Sequence, residues 1–196
     1  MEKVLVTGIS GFLGHHCAVE LLKKGYYVRG SIRDNSKKSE VLNGINKEID
    51  TSERLEFVKL NLLSDDGWDD AMEGCKYVLH VAAPFSVKEP DDENEYIEPI
   101  RGGTMRALKS AQKAKVKRFV LTSSAVTMMG VVYDSDQDTG TVDTKDWTNP
   151  DSKNINTYIK AKTLMEKAAW DFFDNQSDDS FIEMAVMCAG GIYGPS

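Results

Sequence analysis

The stretch KVLVTGISGFLG, residues 3–14, decides the predicted fold of this chain. Its apolar start predicts a buried strand, and the amphipathic segment 12–24 predicts a helix. Gly8, Gly11 and Gly14 lie at regular spacing between the two. In such a unit the first glycine allows a sharp turn, the second lets the backbone approach a pyrophosphate, and the third brings helix and strand close. The junction therefore predicts a dinucleotide site, with an ordinary glycine-rich turn as the alternative.

Backbone N–H groups at the start of the predicted helix are expected to bind the phosphates. The first turn of a helix leaves these groups without internal partners, and the helix dipole places positive potential there. Together with the glycines, we expect Ser10, Phe12 and Leu13 to contact the ligand. The spacing is G-x-x-G-x-x-G rather than the commoner G-x-G-x-x-G. The position of the motif after the first strand therefore carries more weight than the motif itself.

The composition is that of one globular domain. The chain has 196 residues, of which 41% are hydrophobic, and it contains no apolar run long enough to cross a bilayer. Its first residues lead directly into a strand, so we expect a cytoplasmic protein without membrane partners. The net charge of -7 argues against broad nucleic-acid binding, which needs Lys and Arg to neutralise phosphates. Cys17, Cys75 and Cys188 are far apart and predict buried thiols rather than a disulfide or metal site.

Strands and helices alternate along the chain, which is typical of parallel strands joined by right-handed crossovers. Further strands are predicted at residues 26–32, 54–60, 77–82, 116–123 and 181–187. Further helices are predicted at residues 39–50, 65–73, 96–115 and 156–173. Residues 125–154 are predicted to form a long loop, which in a compact domain is usually functional. The predicted fold class is therefore α/β with a doubly wound parallel sheet, the Rossmann architecture, over residues 1–196.

The fourth predicted strand, YVLHVA, is almost wholly apolar, as a central parallel strand should be. His80 within it is predicted to be a hydrogen-bonded core residue, with a catalytic role as the alternative. Ala82, Ala83 and Pro84 end the strand. Their small side chains would allow a ribose or a flat ring to lie against the backbone.

The end of the second predicted strand indicates which dinucleotide is bound, because the residue at this point of the fold meets the adenosine ribose. Arg33 follows the strand directly, with Lys37 and Lys38 nearby. Cationic side chains suit a 2′-phosphate, so we predict NADP rather than NAD. The alternative is that these cations form a solvated loop and that Asp34 binds a free 2′-hydroxyl.

Tyr158 and Lys162 give the strongest indication of chemistry. They lie four residues apart on a predicted helix and so share one face. A nearby ammonium favours the phenolate, so we expect Lys162 to lower the pKa of Tyr158 from its ordinary value of about 10. Ser124, at the end of the fifth strand, would hold a substrate oxygen while Tyr158 exchanges a proton with it. The alternative is an ordinary exposed pair on a helix surface.

Together these motifs resemble the extended branch of the short-chain dehydrogenase/reductases. The resemblance rests on TGISGFLG at residues 7–14, LTSSA at residues 121–125 and the Y-x-x-x-K motif at residues 158–162. Within that branch the chain is similar to the dihydroflavonol 4-reductase-like group, which includes aldehyde and ketone reductases. The segments that carry this similarity are VLHVAAPF (78–85), KRFVLTSSA (117–125), DWTNPDS (146–152) and KTLMEKAAWDF (162–172).

The resemblance implies an NADP-dependent oxidoreductase acting on a small-molecule carbonyl compound. It implies Ser124, Tyr158 and Lys162 as the catalytic set, with Lys162 also binding the nicotinamide ribose. Of the two adjacent serines, the one directly before Ala125 matches the family's catalytic position. The other positions implied for cofactor binding are Arg33, Asn61, Leu62, Ala82, Ala83, Pro84, Thr122, Ser123, Ala189 and Ile192.

Three positions depart from the family pattern. Asn61 stands where relatives carry aspartate, Gly102 replaces the usual Asn or Glu, and Ala189 stands where proline is usual. These changes affect the expected cofactor contacts and leave the proton-transfer residues intact. Arg33, in contrast, matches the arginine that reads the 2′-phosphate.

Relatives also carry a smaller C-terminal lobe that covers the substrate, and no segment corresponding to it is found in this sequence. Because residues 194–195 resemble the start of another segment, we expect a sequence truncated before that lobe. Two other functions stay open: a nucleotide-sugar epimerase or dehydratase that uses the same tyrosine, and a non-catalytic dinucleotide-binding sensor. We expect a monomer or a homodimer.

Overall fold

A single parallel sheet organises the protein. The computed structural model describes residues 1–51, 53–85, 88–134, 141–177 and 181–194. Within these ranges the strands are β1 (Lys3–Thr7), β2 (Tyr27–Ile32), β3 (Leu55–Lys59), β4 (Tyr77–His80), β5 (Arg118–Ser124) and β6 (Glu183–Ala189). Their order in the sheet is β3-β2-β1-β4-β5-β6, and each neighbouring pair is parallel. The chain thus winds outward from β1 in both directions, which confirms the predicted doubly wound Rossmann sheet.

Helices cover both faces of the sheet. They are α1 (Phe12–Lys23), α2 (Lys38–Asn46), α3 (Trp68–Met72), α4 (Asn94–Ile97), α5 (Gly103–Lys113), α6 (Gly130–Asp134) and α7 (Thr157–Asp174). Because side chains alternate along a strand, β1 contributes to both cores. Val4 and Val6 pack with apolar residues of α1 and α2, whereas Leu5 packs with those of α3, α5 and α7. The sheet is therefore buried on both sides, as the apolar strands predict.

The helix predicted over residues 96–115 is interrupted. A π-helical turn at Glu98–Gly102 separates α4 from α5. Pro99 has no N–H group and cannot donate within a regular helix, which accounts for the wider turn at this point. The propensities of the surrounding residues predict a helix correctly but do not predict the change in its winding.

The prediction of a long loop over residues 125–154 is wrong for the first part of that range. A 3₁₀ turn at Ala125–Thr127 follows β5 directly, and α6 comes soon after. The side chain of Ser124 caps the turn by accepting a backbone N–H bond two residues further on. The Thr127 carbonyl then accepts the N–H of Thr148 at 2.8 Å, which anchors the later part of the segment. Residues 135–140 of the predicted loop, and also residues 195 and 196, lie outside the described residues.

The parallel register aligns the strand ends at which the predicted site residues lie. Thr7, at the end of β1, is paired with His80, at the end of β4. Ser124 and Ala189 are paired in the same way at the ends of β5 and β6. The glycine turn, the segment after β4 and the serines of β5 therefore share the carboxyl edge of the sheet, where open α/β sheets bind ligands.

Candidate active site

The turn after β1 has the geometry that the glycine spacing predicts. Gly8 has a φ of +70°, in the left-handed region, and a Cβ on it would lie 3.0 Å from the Cα of Ala82. A Cβ on Gly14 would lie 2.3 Å from the carbonyl oxygen of Gly8. The Gly8 N–H donates to Oγ of Ser31 at 3.0 Å, a contact that the motif alone does not predict. The backbone of this turn is therefore fixed by close packing from three sides.

The N-terminus of α1 faces a cleft of about 740 Å³. Within the described ranges no side chain caps the helix at Gly11, so its first N–H groups are left for a ligand. Most of the residues predicted to bind the cofactor line this cleft: Gly8, Ser10, Gly11, Phe12, Leu13, Gly14, Arg33, Lys37, Asn61, Leu62, Ala82, Ala83 and Pro84. Thr7, Ser31 and Trp68 also line it, although sequence reasoning did not select them.

The hydroxyl of Thr7 organises the segment that follows β4. Its Oγ1 accepts the N–H groups of Val81 at 3.0 Å and of Ala82 at 3.1 Å, and it lies 3.0 Å from Nδ1 of His80. Because the hydroxyl accepts two bonds, its hydrogen is donated to Nδ1, which places the imidazole proton on Nε2. Burial, with the Lys162 charge nearby, lowers the pKa of His80 to about 3. His80 is therefore a neutral, buried and hydrogen-bonded residue, as its apolar strand predicts.

The side chains at the end of β2 favour a 2′-phosphate. Arg33 is exposed, lines the cleft, and makes no hydrogen bond with another residue in the described ranges. Asp34 caps the 3₁₀ turn at Asn35–Lys37 through one carboxylate oxygen, and this bond with the backbone lowers its pKa. Lys37 forms an ion pair with Glu40 at 2.8 Å. Both residues line the cleft, but one oxygen of Asp34 is used within its own loop, while the Arg33 guanidinium is available to an anion.

The loop after β3 is held by its own side chains. Oδ1 of Asn61 accepts the N–H of Leu63 at 3.1 Å, so part of its acceptor capacity is used within the loop. Arg106, on α5, donates to the carbonyl oxygen of Leu62 at 2.9 Å and pairs with Asp65 at 2.6 Å. This side of the cleft is therefore shaped by an arginine that sequence reasoning missed, because its partners lie far away along the chain.

Ser124 and Tyr158 meet beyond the end of β5. Oγ of Ser124 accepts the N–H of Val126 at 3.5 Å, which leaves the hydroxyl hydrogen for the phenol of Tyr158. Tyr158 is half-buried, and its ring lies edge-on to Phe85 at 5.2 Å and to Tyr96 at 6.4 Å between ring centroids. The two hydroxyl groups therefore converge beside an aromatic surface at the carboxyl edge of the sheet.

Lys162 lies one helical turn beyond Tyr158 and is only 3% exposed. Burial lowers its pKa to about 8, against the opposite effect of the Glu166 carboxylate. The expectation that Lys162 lowers the pKa of Tyr158 is wrong for this structure. Burial raises the pKa of that phenol, and the hydrogen bond with Ser124 opposes the rise. The physical reason is that Nζ of Lys162 donates to the carbonyl oxygen of Thr122 at 3.1 Å, so its charge is directed at β5.

Ser123, predicted to bind the cofactor, has its side chain in the protein interior. It is 3% exposed, and its hydroxyl donates to the carboxylate of Glu166. Any contact between Ser123 and a cofactor must therefore come from its backbone. Sequence reasoning missed Glu166, although one signal was present: a carboxylate four residues beyond Lys162 on the same helix face.

The three remaining predicted positions lie outside the main cleft. Thr122 is half-buried within β5, and Ala189 lies beside Ser124 at the end of β6. Ile192, in the segment after β6, is 46% exposed. A Cβ on Gly194 would lie 3.1 Å from the ring of Phe12, so this segment passes close to the N-terminus of α1. These residues are thus near the glycine turn and the serines without forming a closed pocket.

The prediction that all three cysteines are buried is correct for one of them. Cys75 is buried, whereas Cys17 and Cys188 are half-buried, and burial raises the pKa of all three thiols.

In the described part of the chain, no group of three or more His, Cys, Asp or Glu side chains is arranged to hold a metal ion. None of the helices described has both the length and the apolar character needed to span a bilayer.

Comparison with known proteins identifies the family. Residues 4–196 match the NAD dependent epimerase/dehydratase family, and the chain belongs to it. Dihydroflavonol 4-reductase of Arabidopsis thaliana is 38% identical over 197 residues, which cover 96% of this chain and 50% of that protein. Bifunctional dihydroflavonol 4-reductase/flavanone 4-reductase of Malus domestica is 34% identical over 203 residues, covering 100% of this chain and 56% of that protein. The resemblance predicted from the sequence motifs is confirmed.

A solved structure shows the same fold. Yeast methylglyoxal/isovaleraldehyde reductase Gre2, crystallised with NADPH, superposes with a TM-score of 0.86 at 27% sequence identity. The match covers 98% of this chain and 59% of the yeast protein. The chain thus spans about half the length of the curated relatives that it matches.

Proposed function

We propose that this chain is the dinucleotide-binding part of an NADPH-dependent reductase of aldehydes or ketones. The observation that carries the proposal is that the Ser124 hydroxyl lies close enough to the Tyr158 phenol to influence its pKa, at the edge of the sheet that also holds the glycine turn. The likeness to dihydroflavonol 4-reductases and to the NADPH-bound yeast reductase supports it.

The residues at the cleft fit NADPH. The space beside Gly14 admits no Cβ, and the uncapped N-terminus of α1 offers N–H groups to a diphosphate. Arg33 would bind the 2′-phosphate, since it is exposed at the cleft and has no hydrogen bond within the described ranges. Ala82 and Ala83, whose side chains are small, would flank the adjoining ribose.

The chemistry requires one hydride and one proton. When bound, NADPH supplies the hydride for the carbonyl carbon and becomes NADP⁺. Ser124 donates a hydrogen bond to the substrate oxygen, and Tyr158 donates its phenolic proton to that oxygen as the carbonyl becomes an alcohol. The raised pKa of Tyr158 keeps the phenol protonated and able to donate near neutral pH. Lys162 supplies a buried ammonium one turn away.

The proton donor is tested by replacing Tyr158. NADPH absorbance is followed with a panel of aldehydes and ketones, and NADPH affinity is measured separately by fluorescence. Tyr158→Phe should lower kcat at least 100-fold while leaving the Kd for NADPH within about threefold, because only the proton donor is lost. Tyr26→Phe, a change on the far side of the sheet, is the matched control. Unchanged reduction by Tyr158→Phe would remove Tyr158 from the mechanism.

The cofactor assignment is tested by titration with NADPH and NADH. Arg33→Ala should weaken NADPH binding about 10- to 100-fold, the value of charge-assisted hydrogen bonds, and leave NADH binding almost unchanged. Arg101→Ala removes another exposed arginine, on the turn before α5, and is the control. Equal affinities for the two cofactors in the wild type would contradict the assignment. NAD that stays bound through dialysis would instead indicate the epimerase alternative.

A further inference from the structure

Glu166 is a buried carboxylate surrounded by hydrogen-bond donors. It is 5% exposed, and its Oε2 accepts from the hydroxyls of Ser123 and, at 2.8 Å, of Thr127. Its Oε1 accepts from the indole N–H of Trp170 at 3.4 Å, and the thiol of Cys188 lies 3.7 Å from both oxygens. Ser123, Trp170 and Cys188 each carry a hydrogen that they can donate to the carboxylate, whereas the single hydroxyl hydrogen of Thr127 is shared between the carboxylate and the Ser124 carbonyl oxygen.

The partners of Glu166 lie on both sides of Ser124 in the chain. Ser123 directly precedes it, and Thr127 closes the 3₁₀ turn that Ser124 caps. The Thr127 hydroxyl is also within 2.9 Å of the Ser124 carbonyl oxygen. One carboxylate on α7 therefore fixes the last residue pair of β5 and the turn beyond it, and so fixes the direction in which the Ser124 hydroxyl leaves the backbone.

The same carboxylate lies one helical turn from the Lys162 ammonium. Both side chains are at least nine-tenths buried, so their charges are poorly screened by water. The titratable groups that interact with Lys162 are Glu166, on its own helix, and His80, on β4; Tyr158 lies one turn before it, and the Cys188 thiol of β6 contacts Glu166. His80 is neutral, because its pKa is about 3, and Tyr158 is a neutral phenol near pH 7. Within this buried group, and among the described residues, Glu166 is thus the carboxylate whose charge acts on Lys162.

We propose that Glu166 is a positioning residue that holds Ser124 in place through Ser123 and Thr127 and acts as the buried counter-ion of Lys162. The proposal rests on the proposed reductase function for its effect on turnover. Its electrostatic part concerns only the folded chain, and can be measured without substrate or cofactor.

Substitution by glutamine separates this role from a purely structural one. Glu166→Gln keeps the size of the side chain and an oxygen acceptor for the two hydroxyls, but removes the charge. If Glu166 served only to hold β5 and α7 together, Lys162 would titrate as before. If it is the counter-ion, loss of the charge leaves burial unopposed, and Lys162 should lose its proton at lower pH.

The test is an NMR titration of the folded chain labelled with ¹³C at the lysine ε carbons. The Lys162 signal, assigned through Lys162→Met, should titrate near pH 8 in the wild type and about one pH unit lower in Glu166→Gln. Asp171→Asn removes an exposed carboxylate from the same helix and should not move it. A Lys162 midpoint that is unchanged or higher in Glu166→Gln would overturn the proposal.

A wild-type measurement covers the case in which Glu166→Gln does not fold. With glutamate labelled at the ¹³C carboxyl carbon, the chemical shift of Glu166 should change as Lys162 loses its proton near pH 8, because the two groups interact. A Glu166 signal that does not change across that pH range would refute the counter-ion role. In the active protein, Glu166→Gln should lower kcat with little change in the KM for NADPH, and should move the basic limb of the kcat profile to lower pH. Absence of all carbonyl reduction would refute the reductase function and leave the two NMR results to decide the charge pairing.

Discussion

Replacing Lys162 by methionine removes a buried charge and should change how the stability of the fold depends on pH. The lysine is 3% exposed, and its pKa falls from 10.5, the ordinary value, to about 8 in the folded chain. Between these two values the unfolded chain binds more protons than the folded chain. The free energy of unfolding of the wild type should therefore rise as the pH increases from about 8 to about 10.5.

The size of this effect follows from the shift. At pH 7 the buried ammonium costs the folded state about 3 kcal/mol, since each pKa unit corresponds to about 1.4 kcal/mol. At pH 10 most of the folded molecules carry a neutral amine, and the cost falls to about 1 kcal/mol. The wild type should therefore gain about 2 kcal/mol relative to Lys162→Met between pH 7 and pH 10. Loss of the hydrogen bond to the Thr122 carbonyl shifts the whole comparison by a constant and does not change with pH.

The measurement is urea unfolding of both proteins at pH 7, 8, 9 and 10, with the difference in unfolding free energy plotted against pH. Lys160→Met, measured in parallel, shows the effect of removing a lysine that is paired with Glu93 at the protein surface. A difference between the wild type and Lys162→Met that does not vary with pH would refute the reasoning. It would mean that the ammonium is better solvated than its burial implies.

Three further predictions concern the frame of the site. Gly14→Ala should lower the free energy of unfolding, measured in urea, by more than about 2 kcal/mol and abolish NADPH binding, because its Cβ would lie 2.3 Å from a carbonyl oxygen. The control Gly25→Ala adds only backbone strain and should lower the free energy of unfolding by about 1 kcal/mol. Arg29→Met should lower the free energy of unfolding by about 1–3 kcal/mol in the same assay, because the Arg29 guanidinium donates to three carbonyl groups at the end of α3. The control Arg118→Met should lower it by less than about 1 kcal/mol, because it breaks an exposed ion pair. Asn61→Asp should strengthen NADPH binding about 3- to 10-fold in a fluorescence titration, because it adds an acceptor oxygen while the present one serves the loop; equal or weaker binding would exclude a contact between this side chain and adenine.

The parts of the site that could be predicted depend on local sequence. The glycine turn requires only that strand, turn and helix follow one another, so residues 3–14 predict it without any knowledge of distant contacts. Tyr158 and Lys162 are likewise set by the period of one helix. In the structure, Ser124 lies beside Tyr158. This proximity could also be predicted, because Ser124 ends β5 and the ends of parallel strands lie at one edge of the sheet.

The parts that could not be predicted depend on contacts between distant segments. Ser31 binds the turn at Gly8, and Arg106 binds the loop after β3, through side chains that show no sequence period. The sequence predicts the wrong direction for the shift in the pKa of Tyr158, for a related reason. Helical spacing places Lys162 near the phenol, but it does not show that the ammonium donates to the backbone of β5.

The two adjacent serines show how sheet register decides the chemistry of this edge. Phe119, Leu121 and Ser123 follow the strand period toward the core beneath α7, where Ser123 reaches Glu166. Ser124 leaves the backbone in the other direction and meets Tyr158 at the end of the strand. A slip of one residue in β5 in one direction would move Ser124 into the place of Ser123 and put Ala125, which has no hydroxyl, beside Tyr158. β5 lies between β4 and β6, and its seven-residue pairing with β6 resists such a slip, so the register of β5 determines which serine lies beside Tyr158.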